Sequence, residues 1–189
     1  MKVSDKISKE FEARANLSES EFLIIKNDYT KSQDFKSFTQ TNIYYDVNEL
    51  FLTNNGMVLR VRVFDNDSEL TLKIKTKDFD KEITVEKINK DADIKKLLTP
   101  AMKEVLNNID IKFLKEVGRL TTERTEIKFD NYLIAIDKNY YNNKVDYNLE
   151  IEASSKEEAN IILNNILKKY GVINNTIYIS KSRRAIFNS

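Results

Sequence analysis

A chain of 189 residues, 41% hydrophobic and 32% charged, has the size and apolar content for one charge-rich globular domain, so residues 1–189 are expected to form a single domain. The 31 basic and 30 acidic residues leave a net charge of +1, which argues against a dedicated nucleic-acid binder. Cysteine and histidine are both absent, which excludes disulfides, thiolate chemistry and imidazole catalysis, so any metal must be held by oxygen.

No signal peptide opens the chain and no apolar run is long enough for a bilayer span, so a soluble, cytoplasmic protein without a membrane partner is expected. Taken in order, residues 8–15 read as a strand that points Glu10, Glu12 and Arg14 to one face and Phe11 and Ala13 to the other. Ser18 and Glu21 read as a capping box opening a helix to about Asn27, with Phe22, Leu23 and Ile25 available for burial. Residues 41–46 look like a strand, and 47–55 like a helical turn stopped at Gly56.

Residues 57–76 form the clearest pattern. Leu59, Val61 and Val63 alternate with Arg60 and Arg62, the loop Asp65-Asn66-Asp67-Ser68 turns the chain, and Leu70, Leu72 and Ile74 alternate with Lys73 and Lys75. That is a hairpin with one apolar and one cationic face. Residues 82–87 continue it, setting Ile83 and Val85 against Glu82 and Glu86. Ile94, Leu97 and Leu98 suggest a short helix, and Thr99-Pro100 starts another. Residues 119–137 return to strand, turning at Asp130-Asn131, with Leu133, Ala135 and Asp137 on one face. Residues 147–153 alternate Tyr147, Leu149 and Ile151 with Asn148, Glu150 and Glu152. Ser155 and Glu158 read as a second capping box, on a helix ending at Tyr170-Gly171, and 176–181 as a last strand leading to Lys181-Ser182-Arg183-Arg184.

The class is therefore α+β with an antiparallel sheet. Two arrangements suit strands with one apolar and one charged face. A one-sided sheet would leave the charges in water, with Glu12 and Glu152 as surface carboxylates, Arg60 and Arg62 as exposed edge arginines and Lys181–Arg184 as a frayed cationic tail. A closed barrel with an inverted lining would turn the charges inward and pack the apolar faces outward on helices. Segregation of sign favours the barrel: Arg60, Arg62, Lys73 and Lys75 lie on one hairpin, Glu10, Glu12, Glu150 and Glu152 on two other strands. Carboxylates two residues apart can hold a hard cation, and Arg and Lys can clasp phosphate oxygens, so a metal-chelated polyphosphate would need both.

The run Glu10-Phe11-Glu12-Ala13-Arg14 resembles the E-x-E-x-[K/R] mark of the CYTH domain, the triphosphate tunnel metalloenzymes. Further similarities follow in order: Gln40–Asp46, Gly56–Arg62, Leu70–Lys73, Thr122-Glu123-Arg124, Leu133–Asp137, Leu149–Glu152 and Lys181–Arg184. The chain is most similar to the stand-alone bacterial members. The resemblance implies an eight-stranded antiparallel β-barrel, a tunnel with a charged interior flanked by helices, binding a triphosphate-containing small molecule with Mg²⁺ or Mn²⁺. It implies Glu10, Glu12, Asp137, Glu150 and Glu152 as the metal set. Arg14, Arg60, Arg62, Lys73, Arg124 and Lys181 form the phosphate set, with Lys75 and Arg183 as further phosphate-binding positions and Glu82 and Glu86 as tunnel liners. Arg124, Glu12 and Glu152 are the implied catalytic residues. The family's first motif usually ends in Lys, and Arg14 departs from it, keeping the charge but not a movable amine. The implied activity is a metal-dependent triphosphatase acting on tripolyphosphate or a small organic triphosphate, such as thiamine triphosphate or a nucleoside triphosphate, in a monomer or homodimer. A class IV-type adenylate cyclase and a non-catalytic polyphosphate- or nucleotide-binding module are the alternatives.

Overall fold

Alternating apolar side chains and well-spaced turns set the strand boundaries in the computed structural model, which describes residues 5–173 and 177–187. The strands are β1 Lys6–Leu17, β2 Lys36–Asp46, β3 Met57–Val63, β4 Ser68–Lys75, β5 Asp80–Glu86, β6 Lys115–Lys128, β7 Tyr132–Tyr141 and β8 Lys144–Ala153. The helices are α1 Glu19–Ser32, α2 Phe51–Asn54, α3 Ile94–Leu97, α4 Pro100–Val105, α5 Lys156–Lys169 and α6 Lys181–Phe187. The strands close into an antiparallel barrel in the order β1-β5-β4-β3-β2-β6-β7-β8, as the inverted-barrel reading expects.

The chain divides into two compact units. The first comprises Met1–Lys9, Gln40–Leu120 and Lys181–Ser189. Its β3–β4 hairpin pairs Val63 with Ser68 and is closed by Phe64 N–H donating to Asp67 O at 2.8 Å. One phase of β3–β5 (Leu59, Val61, Leu70, Leu72, Ile83 and Val85) is buried with Leu52, Ile94, Leu98, Met102 and Leu106 from the helical segments. Thr99 caps α4 as its sequence suggests, its hydroxyl accepting from Met102 N–H at 3.3 Å. Asp46 ends β2 and holds the following turn. Its Oδ1 accepts from the Val47 and Leu52 amides, both at 2.8 Å, and its Oδ2 from Thr53 N–H at 2.9 Å and Thr53 Oγ1 at 2.7 Å. These bonds bracket Glu49 and Leu50, whose φ values of 58° and 53° are costly for side-chain-bearing residues. Gly56 takes φ +71° after α2, where the left-handed conformation costs it little.

The second unit comprises Glu10–Thr39 and Thr121–Ser180. β7 and β8 pair from Tyr132↔Ala153 to Tyr141↔Lys144, and Phe129 N–H donates to Tyr132 O at 2.9 Å across the Asp130-Asn131 turn. Ala13, Ala15, Ile127, Ile134, Ile136, Leu149 and Ile151 are buried with Phe22 and Ile25 of α1 and Ala159, Leu163, Ile166 and Leu167 of α5. The Ser18–Glu21 capping box is present. α1 runs beyond Asn27 to Ser32, and Leu23 is 47% exposed rather than buried, because it faces about 100° away from Phe22 around the helix. Ser155 caps α5 through Glu158 N–H at 3.1 Å, while the Glu158 carboxylate accepts from the Ser154 hydroxyl.

The expected strand over 176–181 is corrected. Residues 177–180 carry no regular structure, residue 176 lies outside the described residues, and Lys181–Phe187 are helical. Ser182, Arg184 and Ala185 are buried, a spacing that suits a helix face rather than an alternating strand.

The polar phase of the strands is also withdrawn from water. Gln40, Asn42, Thr71, Lys73 and Glu82 are buried in the first unit, and Thr122, Asp137, Asn139 and Asn148 in the second. A one-sided sheet with a solvated charged face is therefore excluded.

Candidate functional site

Charged residues two apart on a strand share a face, and antiparallel register sets them beside their partners on the next strand. In the first unit, β3 pairs Arg60 with Thr71 and Arg62 with Glu69, while β4 pairs Lys73 with Glu82 and Lys75 with Asp80. Lys73 Nζ lies 2.9 Å from Glu82 Oε1 and 3.5 Å from Asp80 Oδ2. Arg60 Nη2 reaches the same Glu82 oxygen at 3.5 Å. Arg62 donates from Nε to Asn42 Oδ1 at 3.0 Å and from Nη1 to Glu69 Oε1 at 3.2 Å. The Lys73 and Glu82 side chains are 9% and 6% exposed, so this ion pair is held out of bulk water.

In the second unit, Arg124 of β6 lies directly opposite Asp137 of β7. Its Nε donates to Asp137 Oδ1 at 2.9 Å and its Nη2 to Asp137 Oδ2 at 2.8 Å, and Nη2 also donates to Glu150 Oε2 at 2.6 Å. Burial opposes the charge on Arg124, but the Asp137 and Glu150 carboxylates outweigh it and hold the guanidinium well above the ordinary arginine value. Arg14 pairs with Glu12 on its own strand and approaches Glu150 Oε1 with its Nε at 3.3 Å. Asp137, with no exposed side-chain surface, also accepts from Asn148 Nδ2 at 3.3 Å. Behind it, Asn139 donates to Asn148 Oδ1 at 2.6 Å and to Asp146 Oδ1 at 2.9 Å, and accepts from Thr122 Oγ1 at 2.8 Å. Through Asn148 these bonds hold the Asp137 carboxylate in place.

The expected residues therefore fall into two groups. Arg60, Arg62, Lys73 and Glu82 come together in the first unit, and Glu12, Arg14, Arg124, Asp137 and Glu150 in the second. Glu10 and Lys181 are partly exposed, whereas Lys75, Glu86, Glu152 and Arg183 are exposed. Glu152 lies opposite Glu12 on β1 and Leu133 on β7. The Arg183 guanidinium lies 5.0 Å from the centre of the Phe187 ring, while its neighbour Arg184 is buried.

The sequence alone assigns no site role to Asp80, Glu69, Asn42, Asn139, Asn148 or Tyr178, although Asn148 shares the phase of Glu150 and Asn42 lies within the Gln40–Asp46 motif. Hairpin register alone would have set Glu69 beside Arg62, and the period-2 phase would have carried Asp137 on to Asn139 and Glu150 back to Asn148. Nothing in the sequence would have found Tyr178, which sits in the irregular stretch 177–180, its hydroxyl donating to Glu150 Oε1 at 3.3 Å.

The sequence profile of the CYTH domain matches residues 8–177. No curated protein matches the chain. A Bacillus halodurans protein provisionally named an adenylate cyclase superposes with a TM-score of 0.81 at 23% identity, over 94% of this chain and 97% of that one. A Hippeastrum protein provisionally named an adenylyl cyclase, and described as revealing a dominant triphosphatase activity, gives 0.70 at 20% identity, over 93% and 94%. The PH1012 protein of Pyrococcus horikoshii gives 0.62 at 17%, over 89% and 94%. These three likenesses concern the fold.

Proposed function

The chain belongs to the CYTH-domain family, and from that premise we propose that it is a divalent-metal-dependent triphosphatase hydrolysing inorganic tripolyphosphate or a small organic triphosphate. The observation that carries the reading is the burial of both charged clusters. Lys73 and Glu82 in one, and Arg124, Asp137 and Glu150 in the other, expose 13% or less of their side chains. Apolar residues of similar volume would stabilise such positions as well or better, so charge retained there points to a charged ligand.

The donor set suits a hard cation. Its members are carboxylates, and those of Glu12 and Glu150 already converge on one cation, the Arg14 guanidinium. Among the described residues no three acidic side chains stand gathered as a ready cage. In this reading Glu12, Asp137 and Glu150 would hold the metal, with Glu10 and Glu152 at its edge. Bound Mg²⁺ or Mn²⁺ would neutralise phosphate oxygens and lower the pKa of a coordinated water.

The chain's own groups supply the rest. Arg60, Arg62, Lys73 and Arg14 would hold phosphate oxygens, with Lys181, Lys75 and Arg183 reaching them from more exposed positions. A guanidinium has five N–H donors, so it can serve a carboxylate and a phosphate together. Arg124, kept charged by Asp137 and Glu150, would stabilise negative charge building on the leaving phosphate. Asn148 and Asn139 would keep Asp137 in place. Glu12 and Glu152 would complete the reacting end.

Incubating the protein with tripolyphosphate, ATP or thiamine triphosphate, each with Mg²⁺ or Mn²⁺, tests the reading. Phosphate release supports it; cyclic AMP formation, or binding without turnover, contradicts it.

A further inference from the structure

We propose that Arg14 is an internal stand-in for the divalent cation: its guanidinium bridges Glu12 and Glu150 while no metal is bound, and must leave that pair when one is. The inference rests on the reading of these carboxylates as metal ligands.

Glu12 and Arg14 are two apart on β1, and Arg14 lies directly opposite Glu150 on β8. One guanidinium therefore meets a carboxylate on its own strand and another on the neighbouring strand. Tyr178 covers the arrangement: its ring centre lies 5.5 Å from Arg14 Cζ, and its hydroxyl donates to the Glu150 oxygen that Arg14 approaches. The other Glu150 oxygen is taken by Arg124 at 2.6 Å. The side chains of Arg14, Glu12 and Glu150 are 22%, 16% and 13% exposed, so water screens the group poorly.

Two carboxylates held this near each other repel, and a cation between them relieves it. A guanidinium and a divalent cation would compete for the same oxygens, and each disfavours the other at contact distance. The planar fork of Arg reaches two carboxylates on separate strands, which the compact ammonium of Lys does less well. Two consequences follow. The metal-free chain keeps this cluster largely neutralised, two guanidiniums against the carboxylates of Glu12, Asp137 and Glu150, and needs no metal to fold. Once displaced, Arg14 keeps its charge and becomes available to a phosphate oxygen, so Mn²⁺ alone binds more weakly than Mn²⁺ with tripolyphosphate.

Titration calorimetry with Mn²⁺ on the wild type, Arg14→Gln and Glu150→Gln tests this, together with melting in EDTA. Arg14→Gln should bind Mn²⁺ about tenfold more tightly than wild type, melt lower in EDTA and recover on adding Mn²⁺. Affinity equal to or weaker than wild type overturns the proposal. Should Arg14→Gln fail to fold, ¹⁵N NMR of the wild-type Arg14 Nε, assigned with Arg14→Lys, reads the exchange directly under Mg²⁺ titration. A resonance that moves and saturates with Mg²⁺ supports it, and one unmoved at saturation overturns it. If Glu150→Gln loses Mn²⁺ while Arg14→Gln gains nothing, the metal site stands and only this inference falls. If Glu150→Gln binds Mn²⁺ as wild type does, the metal reading falls and this inference with it.

Discussion

Arg124 and Asp137 face each other across β6 and β7 and share two hydrogen bonds of 2.9 and 2.8 Å, with the Asp137 side chain fully shielded from solvent. Removing Asp137 leaves the Arg124 Nε without its acceptor and Glu150 as the nearest remaining counter-charge to a largely shielded guanidinium. Asp137→Ala should therefore cost about 3 kcal/mol in urea unfolding. The Arg119–Glu116 pair is the contrast, with side chains 61% and 37% exposed, and Arg119→Ala should change stability by no more than about 0.5 kcal/mol. Equal losses in the two variants would show that the Arg124 cluster is solvated after all.

Glu82 serves both Lys73 and Arg60. Glu82→Gln should destabilise the free protein by about 2 kcal/mol, because two largely shielded cations lose their shared anion. A polyanion bound there should restore stability by mass action. Tripolyphosphate should thus raise the melting temperature of Glu82→Gln more than orthophosphate does at matched ionic strength; equal shifts would count against a triphosphate site.

Gly118 shows how closely α6 is seated. A Cβ at this position would stand 2.7 Å from Ala185 O and 2.9 Å from Ala185 C, both backbone atoms that cannot rotate aside. Gly118→Ala should cost about 1–3 kcal/mol and displace α6, which begins at Lys181. Faster limited proteolysis beyond residue 177 would confirm the displacement, and wild-type resistance would refute it.

Alkaline pH should loosen the second unit. Burial, followed by the neighbouring Tyr170, pushes the Tyr29 hydroxyl from 10.0 up to about 12. Because the folded state favours the neutral phenol, this contribution is complete below pH 10 and is lost as pH rises through about 12. Tyr29 is only partly buried, so solvent screening holds the contribution to about 1 kcal/mol. Tyr29→Phe should lose less stability than wild type between pH 10 and 12, and parallel losses would contradict the assignment.

How much of this was legible in the sequence depended on which interactions are local. Period-2 alternation placed Arg60, Arg62 and Lys73 on one face, and the structure keeps them there, because strand phase is a property of neighbours in the chain. The capping box at Ser18 and the Thr99-Pro100 start were legible for the same reason. Barrel closure was harder, since a charged strand face looks the same whether solvated or enclosed. It became readable only through the segregation of sign and the ordered family motifs. Arg14 bridging Glu12 and Glu150 depends on the β1–β8 register, which no local pattern encodes. Helix α6 was misread because Lys181-Ser182-Arg183-Arg184 has no apolar rhythm of its own, and only packing buries Ser182 and Ala185. The phase that carries Glu150 inward carries Glu152 toward the strand end, where it is exposed, a difference period alone does not show.

Phosphate release from tripolyphosphate, measured against Mn²⁺ concentration for wild type, Glu150→Gln and Glu152→Gln, tests the central claim most directly. Glu150 is largely shielded and bonded to Arg124, so its loss removes charge stabilisation worth several kcal/mol from a metal-triphosphate site. The account predicts metal-dependent hydrolysis by the wild type and a fall of roughly 100-fold or more in Glu150→Gln, with the exposed Glu152→Gln falling less. No hydrolysis by the wild type, or turnover and metal dependence unchanged in Glu150→Gln, would contradict it.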